Sequence, residues 1–359
     1  MQKLNVAILG ATGAVGQRFI QLLDNHPWFQ VAELVGKSSA GKRYGDAVNW
    51  ILDDNPPAHI LDMIVKPLDA DLDSLLVFSA LPKDAAKDRE PEFAAAGHVV
   101  CTNASAYRMT PDVPLLLPEV NHEHIGLIDM QRKNRGWSTG ALIANSNCTT
   151  MPIVMALAPL RQFGITKLHV VSEQAISGAG YPGVASLDII DNVIPYVSGD
   201  ENKMETEPLK ILGEFNGSTI DNYPITIGAT ATRVAIIDGH LVNLSIAFRD
   251  NPTQADILNA WANYETPSDM ASLPSAPERP VQYLPQIDRP QPRRDRMAGN
   301  GMMTSIGRLR DCPILDYKFA ALAHNTIRGA AGCSILNAEL LAVRGYLADF
   351  QPIQQIMSN

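Results

Sequence analysis

A chain of 359 residues, 46% hydrophobic and 19% charged, has ample material for a core and suggests two domains or one large one. Its net charge of −9 argues against a nucleic-acid binder, which would present a basic face, but leaves room for an anionic substrate met by local Arg and Lys. No stretch approaches the roughly 18 apolar residues of a membrane span, "NVAILG" after "MQKL" is too short for a signal core and reads as a strand, and four scattered cysteines (Cys101, Cys148, Cys312, Cys333) match no zinc or CxxC pattern, so a reduced, cytoplasmic protein without a bound metal is expected.

The first third alternates strand and helix. "LNVAILGA" is an apolar, β-branched run bounded by glycine, and "AVGQRFIQLLDNH" follows with Val15, Phe19, Leu22 and Leu23 on one helical side. Between them Gly10, Gly13 and Gly16 form a Gly-x-x-Gly-x-x-Gly turn. Such a turn lets the backbone approach a pyrophosphate and offers helix N-terminal amides to it. The second strand, "FQVAELVG", ends in "KSSAGKRYG". An NAD site wants an acid there for the ribose hydroxyls. Lys37, Ser38, Ser39 and Lys42 supply cations and hydroxyls instead, which suit a 2′-phosphate and favour NADP, although Glu33 lies further back in the strand. "LLVFSAL", the helical "PKDAAKDREPEFAAAG" and "HVVCTNA" continue the β-α-β order and predict a parallel sheet with right-handed crossovers.

"ALIANSNCTT" then places Cys148 where a buried strand stops and a helix starts. Helix N-terminal amides there would lower the thiol pKa and stabilise an oxyanion, although an isolated cysteine is more often an inert small hydrophobe. Beyond it, "TTMPIVMALAPLRQFG" reads as a helix and "ITKLHVVSEQAI" as a strand. "ATRVAIIDGHLVNLSIAFRD" reads as two strands split by a hairpin-like Asp238-Gly239 pair. The second domain is thus expected to be α+β with a mainly antiparallel sheet. Residues 266–301, rich in Pro, Arg and Asp, read as a long loop or surface arm, and "IRGAAGCSILNAELLAVRGYL" as a closing helix.

The thiol needs partners. His240 starts a strand just past the Asp238-Gly239 turn, and a Cys–His pair is the minimum for covalent catalysis at neutral pH. Arg233 lies seven residues earlier, and the turn would let both face one cleft. Gln174, at a strand end, has an amide that can orient an acyl group without competing for protons.

"GATGAVGQRF", "NASAYRM", "LLLPEVN", "ANSNCTT", "SGAGYPG", "KMETEPLKILG", "RVAIIDGH" and "HNTIRGAAG" occur in order along nearly the whole chain. Together they resemble the aspartate-β-semialdehyde dehydrogenases, in their archaeal and fungal type of sequence. The resemblance implies a Rossmann-type domain over 1–147, completed by the helix from 327 to 359, and a catalytic and oligomerisation domain over 148–326. It implies reversible, NADPH-dependent reduction of aspartyl phosphate to aspartate semialdehyde and phosphate through a Cys148 thioester, a step toward lysine, threonine and methionine. His240 matches the acid/base residue and Gln174 the glutamine that orients the acyl group. Arg233 matches the ligand of the substrate α-carboxylate, and Arg108 and Lys203 those of phosphate. The substrate ammonium falls to Asp200 or Glu201, with Glu201 chosen, and Asn147 is an active-site hydrogen-bonding group. Thr12, Gly13, Ala14 and Val15 match the pyrophosphate turn, Ser38 and Ser39 the adenosine-phosphate site, and Ser177, Gly178 and Asn325 the nicotinamide side. A homodimer or homotetramer is implied. The alternatives are a malonyl-CoA or acetylglutamyl-phosphate reductase of the same superfamily, a cysteine acyltransferase or hydrolase, and an NADP-binding redox sensor.

Overall fold

In the computed structural model, which describes residues 3–267, 270–347 and 350, the N-terminal apolar run forms strand β1 (Leu4–Leu9) and the glycine turn leads into helix α1 (Ala14–Leu23). There follow β2 (Phe29–Val35), β3 (Leu76–Ser79), α2 (Lys83–Ala95), β4 (Val99–Thr102), α3 (Leu127–Arg135) and β5 (Ala141–Ala144). The strands form one sheet in the order β2-β1-β3-β4-β5, every neighbouring pair parallel. Its central strands are short unbroken apolar runs because helices cover both faces. The sheet order reverses between β1 and β3, so a crevice opens beyond their C-terminal ends, where a doubly wound sheet binds its ligand.

The chain continues through α4 (Thr150–Leu157), β6 (Ile165–Gln174), α5 (Asp200–Ile211), β7 (Thr226–Arg233), β8 (His240–Phe248), α6 (Gln254–Ala262), β9 (Val281–Leu284), β10 (Thr304–Asp311), β11 (Tyr317–Ala323) and α7 (Gly332–Val343). These strands form a six-stranded sheet in the order β9-β10-β11-β8-β6-β7. The sheet is mixed: the three inner pairings are antiparallel, and β9–β10 and β6–β7 are parallel. Every residue of α4 is buried, and it shares a core with Val170, Val242, Leu244 and Ala321 of the sheet. Helix α7 returns to the first sheet: Ile335, Leu336, Leu340 and Leu341 pack with Val6, Ile8, Leu76 and Phe78.

Two expectations are corrected. Asp238-Gly239 does not close a hairpin, because β6 lies between β7 and β8 and pairs with both. The pairing is nonlocal: β8 takes β6 and β11 as neighbours, and β7 pairs with β6. The 266–301 segment is not all loop, since Val281–Leu284 adds an edge strand alongside β10. Ser268 and Asp269 of that segment, and 348, 349 and 351–359 of the expected closing helix, lie outside the described residues.

Candidate active site

A cleft of about 700 Å³ runs from the C-terminal ends of the parallel sheet to one end of the mixed sheet. It is lined by Gly13, Ala14 and Val15 of the glycine turn, by Ala80–Lys83 after β3, by Asn103, Ser105 and Arg108 after β4, and by Asn147 and Cys148 after β5. From the second sheet come Ser177–Tyr181 after β6, Arg233 at the end of β7, and Asn325 and Thr326 after β11. The register explains the convergence. Gln174 pairs with Arg233, and His240 with Ala323, so the ends of β6, β7 and β11 and the start of β8 share one edge.

Cys148 is half-buried, with Sγ 3.2 Å from Nε2 of the fully buried His240. The backbone N–H of Ala175 donates to Nδ1 of the same ring at 3.0 Å. A nitrogen that accepts from an amide carries no hydrogen, so the neutral ring bears its proton on Nε2 and donates it to sulfur. Burial, with Arg233 and His324 nearby, pulls the imidazole down to about 3. Burial first and the Asp200 carboxylate second push the thiol up to about 11, while Arg108, Lys203 and Arg233 oppose them. The thiol is therefore raised rather than lowered as expected, and Asn147 Oδ1 accepts the N–H groups of Thr149 and Thr150 at 2.9 and 3.1 Å. Asn147 thus caps the nucleophile helix and also lines the cleft.

Ala175 serves a second neighbour: its carbonyl accepts from Arg233 NH1 at 2.6 Å. A Cβ at Gly178 would lie 3.0 Å from Arg233 NH1 and 3.1 Å from His240 Nε2, so a side chain there would crowd both. Asn325 ties the loops together, accepting from Gly239 N and donating to Ser177 Oγ. Gln174 is buried, donates to Ser172 Oγ at 3.2 Å, and is not among the residues lining the cleft.

Helix α5 carries the remaining charges at helical spacing. Asp200 lines the cleft with Lys203, whose Nζ is 2.7 Å from Asp200 Oδ1. Glu201 points elsewhere, its carboxylate accepting from Ala231 N on the edge strand β7, as Glu205 accepts from Ala229 N. The carboxylate in the cleft is therefore Asp200 rather than Glu201. One turn further on, the buried Glu207 accepts from Arg108 NH1 at 3.0 Å and from Asn147 N at 2.7 Å. Lys210 gives its three N–H bonds to the carbonyls of Arg108, Thr110 and Val113. Glu207 and Lys210 were not singled out from sequence. Their spacing from Asp200 and Lys203 (i, i+3, i+7, i+10) was the available signal. Arg108 is steadied from the other side too. Pro91 inside α2 has no N–H to offer Lys87 O, and Tyr107 Oη donates to that carbonyl instead.

The residues present fit a dinucleotide. Gly10 holds φ +75° and a Cβ there would meet Ala80 O at 2.8 Å, while one at Gly16 would meet Gly10 O at 2.3 Å. Gly13 stays open on the cleft. Thr12 is half-buried behind it, its carbonyl accepting from Gln17. Glu33 is engaged with Lys66 Nζ at 2.7 Å and with the amides of Asp73 and Ser74, so no free acid ends β2. At that end Lys37 and Ser38 are exposed and Ser39 Oγ is buried without a partner.

Two family models match, "Semialdehyde dehydrogenase, NAD binding domain" over residues 5–128 and "Semialdehyde dehydrogenase, dimerisation domain" over 157–328. The chain is 49% identical to an aspartate-semialdehyde dehydrogenase of Archaeoglobus fulgidus, over 94% of this chain and 98% of that one. It is 44% identical to one of Aspergillus fumigatus, over 96% and 99%. Among solved structures, that of aspartate semialdehyde dehydrogenase with NADP from Candida albicans superposes with a TM-score of 0.88 at 40% identity, covering 96% of this chain and 100% of that one.

Proposed function

The chain belongs to the aspartate-semialdehyde dehydrogenase family, and on that footing we propose how its own residues carry the reaction. It is an NADP-dependent, phosphorylating oxidoreductase that interconverts aspartyl phosphate with aspartate semialdehyde and phosphate. The observation that carries the assignment of roles is Cys148 Sγ at 3.2 Å from Nε2 of a buried histidine, in a cleft shared with the glycine turn.

Cys148 reacts as the thiolate, its proton passing to the departing phosphate: sulfur attacks the acyl carbon, the acyl–oxygen bond breaks, and phosphate leaves with that electron pair, so the enzyme holds a thioester. The 10–16 turn, with Ser38 and Ser39 toward the adenosine phosphate and Ser177, Gly178 and Asn325 toward the other end, would hold NADPH, which would supply hydride to that carbon. The resulting oxyanion collapses and expels the Cys148 thiolate. The thiol proton ends on phosphate and is replaced from solvent when the thiolate is released, so the one proton consumed overall need not come from His240. A fixed Nε2–H suffices: it donates first to the thiolate and then to the oxyanion. This refines the acid/base role implied by the resemblance. Arg233 receives the substrate carboxylate through its guanidinium fork, Arg108 and Lys203 the phosphate, and Asp200 the ammonium. Gln174 orients the acyl group by fixing the end of β6. We also propose a domain division at 147/148, with the return of α7 to the first sheet in its support.

A cytoplasmic homo-oligomer, dimer or tetramer, completes the reading. The mixed sheet leaves Lys167, His169, Thr226, Gly228 and Asn243 exposed on the face away from α4, and Leu187, Ile190 and Ile314 are exposed apolar residues. A second copy would cover such a surface.

The direct test adds NADP⁺ and aspartate semialdehyde and follows the nicotinamide absorbance with and without phosphate. Phosphate-dependent NADPH formation is expected, and malonyl-CoA or an acetylglutamyl analogue should turn over poorly in the matching assay. No signal, or preference for either analogue, would reject the assignment. Arg233→Leu should raise the KM for semialdehyde by about 100-fold, the worth of a lost charged hydrogen-bonding partner, with a much smaller effect on the KM for phosphate. A selective effect on phosphate would mean that Arg233 and Arg108 have exchanged roles.

Asp200→Asn makes a pH prediction with a definite sign. Asp200 is the anion that raises the thiol, so its removal lowers the Cys148 pKa. The rate of iodoacetamide inactivation rises with pH through that value, and the midpoint should move to lower pH in the variant. An unmoved or more alkaline midpoint would contradict the placement of Asp200 beside the thiol.

A further inference from the structure

Arg328 and Glu119 are both fully buried and form a two-pronged ion pair, NH1 to Oε1 at 2.7 Å and NH2 to Oε2 at 2.9 Å. The reaction uses neither. Burying two charges is costly, and apolar side chains of the same volume often give equal stability, so such a pair is better evidence of a specified geometry than of a stable core.

The pair stands directly behind the nucleophile. Arg328 belongs to a π-turn, Ile327–Ala331, that runs into α7. Its wide loop is closed by Gly329 N–H to His324 O and Ala331 N–H to Thr326 O. Turns of this kind recur at functional sites. Gly329 lies against Cys148, where an added Cβ would be 2.7 Å from Cys148 Cβ and 3.0 Å from its Cα. Ala330 O accepts from Asn145 Nδ2 at 3.0 Å, three residues ahead of the thiol. On its far side Arg328 NH2 reaches Met155 Sδ at 3.0 Å, on the helix that follows the thiol. Tyr264 Oη donates to the carbonyl of Glu119 and anchors the acid in turn.

We propose that Arg328 is a positioning residue for the nucleophile: its bidentate pair with Glu119 fixes the π-turn on which Cys148 rests, and so holds Sγ on His240 Nε2. The planar fork sets a direction that an ammonium point charge cannot. The charges that bear on the thiol come from Asp200, Arg108, Lys203 and Arg233. Arg328 is neutralised by its partner, so it acts through place rather than field. The proposal rests on Cys148 being the nucleophile.

Two variants test it, Arg328→Lys and the volume-matched double Arg328→Met/Glu119→Leu, each read for kcat, KM and the pH midpoint of Cys148 alkylation by iodoacetamide. In both, kcat should fall at least about 10-fold, with the KM for semialdehyde and phosphate and the NADP⁺ affinity within about 2-fold of wild type, since lost positioning spares binding. The alkylation midpoint should move to higher pH, because a displaced thiolate loses its Nε2–H donor. That shift should vanish when the variants are made on His240→Ala. Wild-type kcat and midpoint would overturn the proposal, and so would a shift that persists without the histidine, which would mean that Arg328 acts by its charge. Should the double variant fail to bind NADP⁺, the lysine variant decides alone by the same criteria. Alkylation of wild-type Cys148 that left turnover intact would instead withdraw the nucleophile assignment itself.

Discussion

Cys148→Ser is expected to reduce turnover by about 10,000-fold or more, the scale on which loss of a covalent nucleophile is felt, while NADP⁺ binds as before. Two properties of sulfur are lost together. The thiol becomes an anion at far lower pH than an alcohol, and the thiolate leaves readily from the tetrahedral adduct. Serine would attack poorly and, once acylated, would trap the enzyme as an ester. The glycine turn proposed to hold the cofactor lies across the cleft between β1 and α1, and neither its backbone nor Ser39 is hydrogen-bonded to Cys148. Isothermal titration with NADP⁺ alongside steady-state rates separates the two effects. Near-normal rates in the serine variant would remove Cys148 from the mechanism, and loss of cofactor binding would mean that the substitution disturbs more than the reacting atom.

The second large effect is at His240, where two substitutions divide two mechanisms. His240→Ala should lower kcat by about 100- to 1,000-fold, the usual loss when one donor to a developing oxyanion is removed. His240→Gln keeps an N–H at the end of a side chain of similar reach and should stay within about 10-fold of wild type if donation is all the ring supplies. The basis is the Ala175 N–H bond to Nδ1, which leaves Nε2 as the hydrogen-bearing nitrogen toward sulfur. A histidine that must accept and return a proton would make Gln as poor as Ala. Steady-state kinetics on the two variants at one pH decides between them.

Much of the site was legible because its signals are local. The glycines report the turn they form, since Gly10 sits at positive φ and Gly16 has backbone where a side chain would be. The end of an apolar run before "NSNCTT" marked Cys148, the proposed nucleophile. The choice between Asp200 and Glu201 was not settled by adjacency, because neighbouring helical residues face about 100° apart. In the i, i+3, i+7, i+10 row, Asp200 and Lys203 line the cleft while Glu207 and Lys210 are buried against the segment that carries Arg108, and Glu201 with Glu205 faces the edge of β7.

Local sequence is enough to specify the strand–turn–helix with its three glycines, the cysteine at the end of an apolar run and the types of charge near it, because each depends on residues within a few positions of one another. That β6 separates the strands of Arg233 and His240, that an alanine amide donates to the histidine's Nδ1, and that Arg328 stands behind the thiol emerge only when the chain is folded. Those facts depend on strand pairing, on a backbone N–H that every residue but proline owns, and on a contact across 209 positions of chain. None of the three leaves a pattern in local spacing, since the free energy that selects them comes from burial among segments distant in sequence.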